Sequence, residues 1–391
     1  MNLKERIKEL ASEFADEIKD VRRHLHMHPE LSYEEKETGK YIVSKLEEWG
    51  ILYEYPVAGN GVVAIIKGAE AGEVRAIRGD IDALPIKEEN EVSYKSKNEG
   101  VMHACGHDVH TSCVLGAARI LNETKAYWGG TIKALFQPAE EKLPGGASIM
   151  IEEGVLENPA VEYIVGQHVH PPLEVGKVGV KSGEYMASAD EIYLTVRGKG
   201  GHAALPQNVI DPVIISAQIL LSLQQVVSRK SIPNVPNVLS FGKINSKGGA
   251  TNIIPNEVKI EGTFRTMNEE WRKEAHEHIR RIAEKTAESM GGECEVDIRV
   301  GYPCLVNNNK VTERFKKKAG EYIGEENVVE LPMRMTAEDF AYYGHRVPGC
   351  FYRLGTGNDE RGIVSPVHTP TFDVDEGSLE LGMGLMAWVV V

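Results

Sequence analysis

The spacing of apolar and polar positions divides the chain into three stretches. In the first, Phe14, Ile18 and Val21 recur at helical spacing and predict a helix over Leu3–Leu25. A second helix is predicted over Glu34–Trp49, stopped by Gly50. Short apolar runs at Gly61–Lys67, Val74–Arg78, Thr131–Gln137 and Tyr163–Gln167 read as buried strands, and the run of small apolar residues Val114–Leu121 as a helix. From about Glu184 the pattern changes. A strand over Ala189–Val196 is followed by an apolar helix over Asp211–Ser228, strands over Asn237–Ile244 and Glu257–Arg265, a charged amphipathic helix over Glu269–Met290 and a strand over Cys294–Val300. This β-α-β-β-α-β order predicts a ferredoxin-like unit. Beyond residue 300 the α/β pattern returns, with a helix over Thr312–Ile323, a capping-box variant at Thr336-x-x-Asp339, a strand over Phe351–Gly355 and a last apolar helix over Gly377–Val391. The expectation is an α/β fold. A discontinuous domain, 1–183 and 300–391, carries a mixed sheet flanked by helices. An inserted α+β lid, 184–299, interrupts it.

Metal-type side chains recur where these strands end. Asp80 and Asp82 follow Val74–Arg78, the position at which open α/β sheets place their sites. Residues 102–113 pack His103, Cys105, His107, Asp108 and His110 around a glycine, and thiolate and imidazole suit borderline metals. A helix starting just after this segment would favour a thiolate there and lower its pKa. Thr131–Gln137 leads to Glu140 and Glu141 at the opening of a helix running to Glu153. Of two adjacent carboxylates, one can bind metal while the other acts as a general base. Tyr163–Gln167 ends in His168 and His170; His168 follows the strand more directly and is the preferred ligand, with His170 held in reserve. His24, His26 and His28 alternate before Pro29 and are given no ligand role. In the lid stretch, glycines flank His202, and Thr251–Pro255 forms a further turn.

Composition narrows the class. The 391 residues are 42% hydrophobic and 26% charged, an ordinary globular balance. A net charge of -14 argues against nucleic acid and anionic membrane surfaces as partners. No run reaches transmembrane length, and Met1–Asp20 is charged and amphipathic rather than a signal peptide. Five cysteines without a regular framework fit free thiols in a reducing cytoplasm.

Six motifs in order then carry a resemblance across nearly the whole chain: Arg-His-Leu-His-x-His-Pro-Glu-Leu-Ser, Arg-Gly-Asp-Ile-Asp-Ala-Leu-Pro, Met-His-Ala-Cys-Gly-His-Asp-x-His, Phe-Gln-Pro-Ala-Glu-Glu, Gly-Gly-His-Ala-Ala-x-Pro and His-Thr-Pro-x-Phe. The chain resembles the aminoacylase/carboxypeptidase family of co-catalytic metallohydrolases, in the branch that cleaves N-acyl amino acids. The resemblance implies two divalent ions, Mn or Zn with Co or Ni as further candidates, held by Cys105, His107, Glu141, His168 and His368. It implies Glu140 as general base and His202 at the substrate carbonyl. Asp80 stands where the wider family has a histidine and Cys105 where it has a bridging aspartate, which leaves Asp82 to orient a ligand. Asn252 and Arg265 are candidates for the substrate carboxylate by their place in the lid. The implied reaction is amide hydrolysis of N-acetyl, N-benzoyl or N-aryl-acetyl amino acids. Dipeptidase or carboxypeptidase action is the alternative, and the implied assembly is a homodimer or homotetramer through the lid. Two rivals fall outside this reading: a Cys105 nucleophile with His107 as base, and a binding protein that has lost turnover. No Gly-x-Ser-x-Gly elbow is present for a serine hydrolase.

Overall fold

The computed structural model describes residues 2–391, which divide into two compact units. The larger comprises the described residues up to Glu184 with Val306–Pro332 and Asp339–Val391; the smaller is Tyr185–Leu305 with Met333–Glu338.

The larger unit is built on an eight-stranded mixed sheet. Its strands are β1 (Leu52–Val57), β2 (Gly61–Lys67), β3 (Glu70–Asp80), β4 (Gly129–Gln137), β5 (Tyr163–Glu174), β6 (Val178–Val180), β7 (Val328–Glu330) and β8 (Gly349–Gly357), in the order β1-β2-β4-β3-β5-β8-β6-β7. β4, β3, β5 and β8 run parallel to one another in the middle, so their carboxyl ends open on one edge. Ile77, Ala134, Leu135, Ile164 and Val165 are buried, as strands covered on both faces require.

Helices α1 (Leu3–Met27), α2 (Lys36–Glu48), α3 (His107–Glu123), α4 (Gly146–Glu152), α5 (Asn309–Ile323) and α6 (Ser378–Val389) flank this sheet, with one further short turn of helix at Ala341–Gly344. Helix α1 starts where the Asn2 side chain accepts the Lys4 N–H, and it buries Ile7, Leu10, Phe14, Ile18, Val21 and Leu25 as one stripe. It packs with α3 and α6. Every residue of α3 from His107 to Ala118 is buried. A Cβ on Gly116 would lie 2.6 Å from Met383 Sδ, so glycine there lets α6 approach closely.

The smaller unit is a four-stranded antiparallel sheet in the order 237–246, 257–266, 190–197, 293–300, with helices Pro212–Gln225 and Glu269–Ser289. This is the ferredoxin-like order. Asp211 caps the first helix by accepting the Val213 and Ile214 N–H groups. That helix buries Ile215, Ile219 and Leu223 but leaves Ile214 and Leu221 exposed.

Five local expectations are corrected. The strand expected to stop at Gln167 runs on to Glu174, so His168 sits inside it. The helix expected after the Cys/His segment begins within it, at His107. No strand precedes that segment and no helix opens at Glu140: residues 139–145 are irregular, and α4 starts only at Gly146. Thr336-x-x-Asp339 caps no helix; the Asp339 carboxylate instead accepts hydrogen bonds from Arg78 and Gln137.

Gly146 shows why that helix starts where it does. A Cβ there would stand 1.8 Å from the Pro138 carbonyl oxygen, while the Gly146 N–H donates to Ala139 O at 2.9 Å. Gly146→Ala should therefore lower the thermal unfolding midpoint, by an overpacking cost of about 1–3 kcal/mol. An unchanged midpoint in calorimetry would show that the loop yields freely.

Candidate metal centre

Arg78, near the end of β3, is fully buried and meets three acceptors. Its Nε donates to Gln137 Oε1 at 2.8 Å, and its two terminal nitrogens donate to Asp80 Oδ2 at 2.6 Å and Asp339 Oδ1 at 2.7 Å. The other Asp80 oxygen faces His110 Nδ1 at 2.5 Å. Because His110 Nε2 accepts the Val169 N–H at 2.8 Å, the proton of this ring is on Nδ1 and both nitrogens are engaged. Although burial opposes it, Arg78 and the neighbouring imidazoles hold the Asp80 carboxyl well below its usual range. Asp80 and His110 lie close enough to His107 to share an ion. Both nitrogens of His110 are spent, so that ring is a support rather than a ligand, and Asp80 is tied to it and to Arg78.

The next ring is pinned differently. His107 Nδ1 meets Asp82 Oδ1 at 3.0 Å, which leaves Nε2 buried without a hydrogen-bond partner. His168 donates Nδ1–H to Val169 O at 2.8 Å, so its Nε2 faces Cys105 Sγ at 3.4 Å. His368 Nε2 lies 3.2 Å from the same sulfur and 3.2 Å from Glu141 Oε1. The His368 N–H donates to Ala104 O at 2.7 Å and ties the carboxyl-terminal segment to the Cys105 loop. One sulfur, three imidazoles and the Glu141 carboxylate thus converge, with the largely buried Glu140 beside His107 and Glu141. Asp82 Oδ2 accepts the Ser32 hydroxyl at 2.7 Å and the Glu141 N–H at 3.0 Å. Of the five described non-glycine residues with positive φ, Tyr33, Ala139 and His368 belong to these segments, and such strain concentrates at functional sites.

The model of peptidase family M20/M25/M40 matches residues 76–390. The chain belongs to peptidase family M20/M25/M40. It is 40% identical over 380 residues to an IAA-amino acid hydrolase of Arabidopsis thaliana, covering 96% of this chain and 85% of that one. It is 39% identical over 385 residues to a thermostable carboxypeptidase of Saccharolobus solfataricus, covering 98% and 96%. A solved Bacillus subtilis structure, described as a dinuclear metal binding peptidase of the M20 family, superposes with a TM-score of 0.83 at 37% identity, covering 97% and 98%. This M20 chain is a metal-dependent amidohydrolase.

The donor set fits divalent ions. Thiolate, imidazole and carboxylate are the ligands of borderline cations, and the buried His107 Nε2 faces this donor set without a well-formed hydrogen bond. His170 belongs to none of the clusters able to hold an ion among the described residues. His103 lies with its ring 6.5 Å from that of His26, and burial pulls it down to about 4, so it is neutral. Of the alternating histidines, His26 bonds Asp108 and Glu88, while His24 stacks on Tyr41.

In the smaller unit, His202 and Asn252 come together on a two-stranded ribbon. His202 pairs with Ile253, and the Ala203 N–H donates to Asn252 O. His202 Nδ1 accepts the Ala204 N–H at 3.1 Å, so the ring presents Nε2–H outward. Arg265 lies on strand 257–266 and donates to Met335 O.

The expected lowering of the Cys105 pKa is corrected. Burial, with the charge of Glu141, pushes the thiol up. Hydrogen bonds to Cys105 and Glu141 push His368 up to about 10. Burial works against the His107 imidazolium, yet Asp80 and Asp82 hold it well above its ordinary range. At neutral pH these groups carry protons that ligation must expel. Metal uptake should therefore release protons, and apparent affinity should rise with pH through neutrality toward about 10, where His368 loses its proton. Calorimetry in buffers of different ionisation enthalpy checks this, and uptake without proton release would contradict it. Asp82→Ala removes the partner that aims His107 and should weaken metal binding about 10- to 100-fold in a chelator competition. Unchanged affinity would detach Asp82 from the ligand.

Proposed function

We propose that this M20 hydrolase cleaves the amide bond of N-acyl amino acids, releasing a carboxylic acid and a free amino acid. Cys105, His107, Glu141, His168 and His368 hold two divalent ions, of which manganese and zinc suit the donors best and cobalt and nickel are alternatives. Bound ions supply a Lewis acid and lower the pKa of water toward neutrality. The observation that carries the reading is the position of Glu140, buried beside Glu141 and His107 with its neighbour committed to the donor cluster.

Glu140 accepts the proton of the attacking water and hands it to the departing amine. Asp82 holds His107 in the tautomer that presents Nε2 inward. His202, with Nε2–H as its free donor, serves the substrate carbonyl oxygen as charge develops on it. Asn252 and Arg265 receive the α-carboxylate of the amino acid. A Cys105 nucleophile is disfavoured, because the sulfur is buried, flanked by His168 and His368, and its thiol is pushed up rather than down.

No described helix is long and apolar enough to cross a membrane. We assign the protein to the cytoplasm on its five free cysteines. Self-association through the lid, as a dimer or tetramer, is supported by its edge strand 237–246 and by the exposed Ile214 and Leu221 of its apolar helix.

Acetyl-, benzoyl- and indole-acetyl-amino acids assayed beside dipeptides, with and without chelator, separate this reading from carboxypeptidase action. Peptide cleavage alone would replace it. Glu140→Gln should lose about 100- to 10,000-fold in kcat while metal content stays the same. Retained turnover would remove Glu140 from its role.

A further inference from the structure

The segment bearing Glu140 and Glu141 has no helix or strand of its own between Gln137 and Gly146. Its internal backbone bonds are few: Gly145 N–H to Lys142 O at 3.0 Å and Gly146 N–H to Ala139 O at 2.9 Å. Ala139 sits at φ +51, a region L-residues rarely adopt. A loop so built does not hold two carboxylates in fixed places unaided.

Bonds that it lacks come from the distant stretch Ser32–Glu35 and from Asp82. Glu35 is fully buried, and its Oε1 accepts the Ala139 N–H at 2.7 Å, just ahead of Glu140. Its other oxygen accepts from Asn60 Nδ2 at 3.2 Å, and that amide also donates to Tyr33 O at 3.1 Å. The Tyr33 hydroxyl donates to Lys142 O at 3.0 Å and accepts the Gly145 N–H at 3.2 Å, just behind Glu141. Ser32 donates to Asp82 Oδ2, the same oxygen that accepts the Glu141 N–H. Glu35 and Tyr33 therefore grip the loop before and after its paired carboxylates, and Ser32 holds the Asp82 carboxylate that grips it at Glu141.

We propose that Tyr33 and Glu35 are positioning residues that hold the Glu140–Glu141 loop in its working geometry. The inference rests on the reading of Glu140 as general base. Neither residue touches the donor cluster itself, so neither is offered as a ligand. Displacing a reacting group by about 1 Å can cost on the order of 100-fold in rate. The loss should fall on kcat, because the loop acts on the bond being broken rather than on substrate capture.

Tyr33→Phe removes both hydroxyl bonds and keeps the ring. In the metal-saturated full-length enzyme it should lower kcat about 10- to 100-fold, with KM and the unfolding midpoint near wild type. Glu35→Gln, which keeps a carbonyl acceptor for the Ala139 N–H, should lose less kcat than Glu35→Ala. In a Glu140→Gln background Tyr33→Phe should cost little more, since residues acting as a unit are not additive. A wild-type kcat in Tyr33→Phe, beside an inert Glu140→Gln, overturns the cradle and leaves the base standing. An equal fold-loss with and without Glu140 also overturns it. Retained turnover in Glu140→Gln overturns both readings.

Discussion

In a buried imidazole that is hydrogen-bonded at one nitrogen, the partner on its far side decides what its near side does. His107 spends Nδ1 on Asp82 and His168 spends Nδ1 on a backbone carbonyl, so each turns Nε2 inward. His110, one turn further along the same helix, spends both nitrogens and becomes part of the wall. Identical side chains within four residues thus take different roles, fixed by bonds that lie outside the donor cluster.

Those outer bonds join into a frame of charge. The Arg78 guanidinium sits among Gln137, Asp80 and Asp339, and so pins the ends of β3 and β4 together. Asp339 also accepts the Ala147 N–H in the first turn of α4. Removing one member of such a buried set strands the others, at a cost of about 3–5 kcal/mol. Parallel strands bring these residues to one edge of the sheet, but the guanidinium sets their spacing there.

Long elements with a clean period were legible. The helix at the amino terminus, the four central strands and the β-α-β-β-α-β order of the smaller unit follow from residue spacing alone. Strand β1 was not read, because its apolar residues Leu52 and Val57 enclose a polar stretch with Pro56. β6 and β7 are three residues each, too short for any period. The extension of β5 through His168 was hidden by the prolines that follow, which read as a strand end. Donor residues announced themselves by type and clustering. Their supports did not, since Arg78 and Asp339 are 261 positions apart and Glu35 and Ala139 are 104. Two left a trace: Asp82 through the resemblance, as a residue orienting a ligand, and Arg78 as a cation closing an apolar run where a buried partner would be required.

The two ends of the chain meet on the same short loop, and this bears on how the centre forms. Arg22 of α1 donates to Asp108 Oδ2 at 2.7 Å and to Asp373 Oδ1 at 3.0 Å, so it links α3 to the carboxyl-terminal segment. His26 joins the same Asp108 oxygen, and Asp108 belongs to none of the clusters able to hold an ion among the described residues. His368 arrives on that segment, 263 positions from Cys105. The donors therefore come from four separate stretches, and ions bound by them would cross-link the larger unit from its first third to its last. Closing loops of that length costs entropy that local contacts do not repay quickly. Ligation would then be coupled to completion of the fold: whatever favours the assembled donors favours the closed chain, so bound metal would add to the stability of this domain as well as to its chemistry.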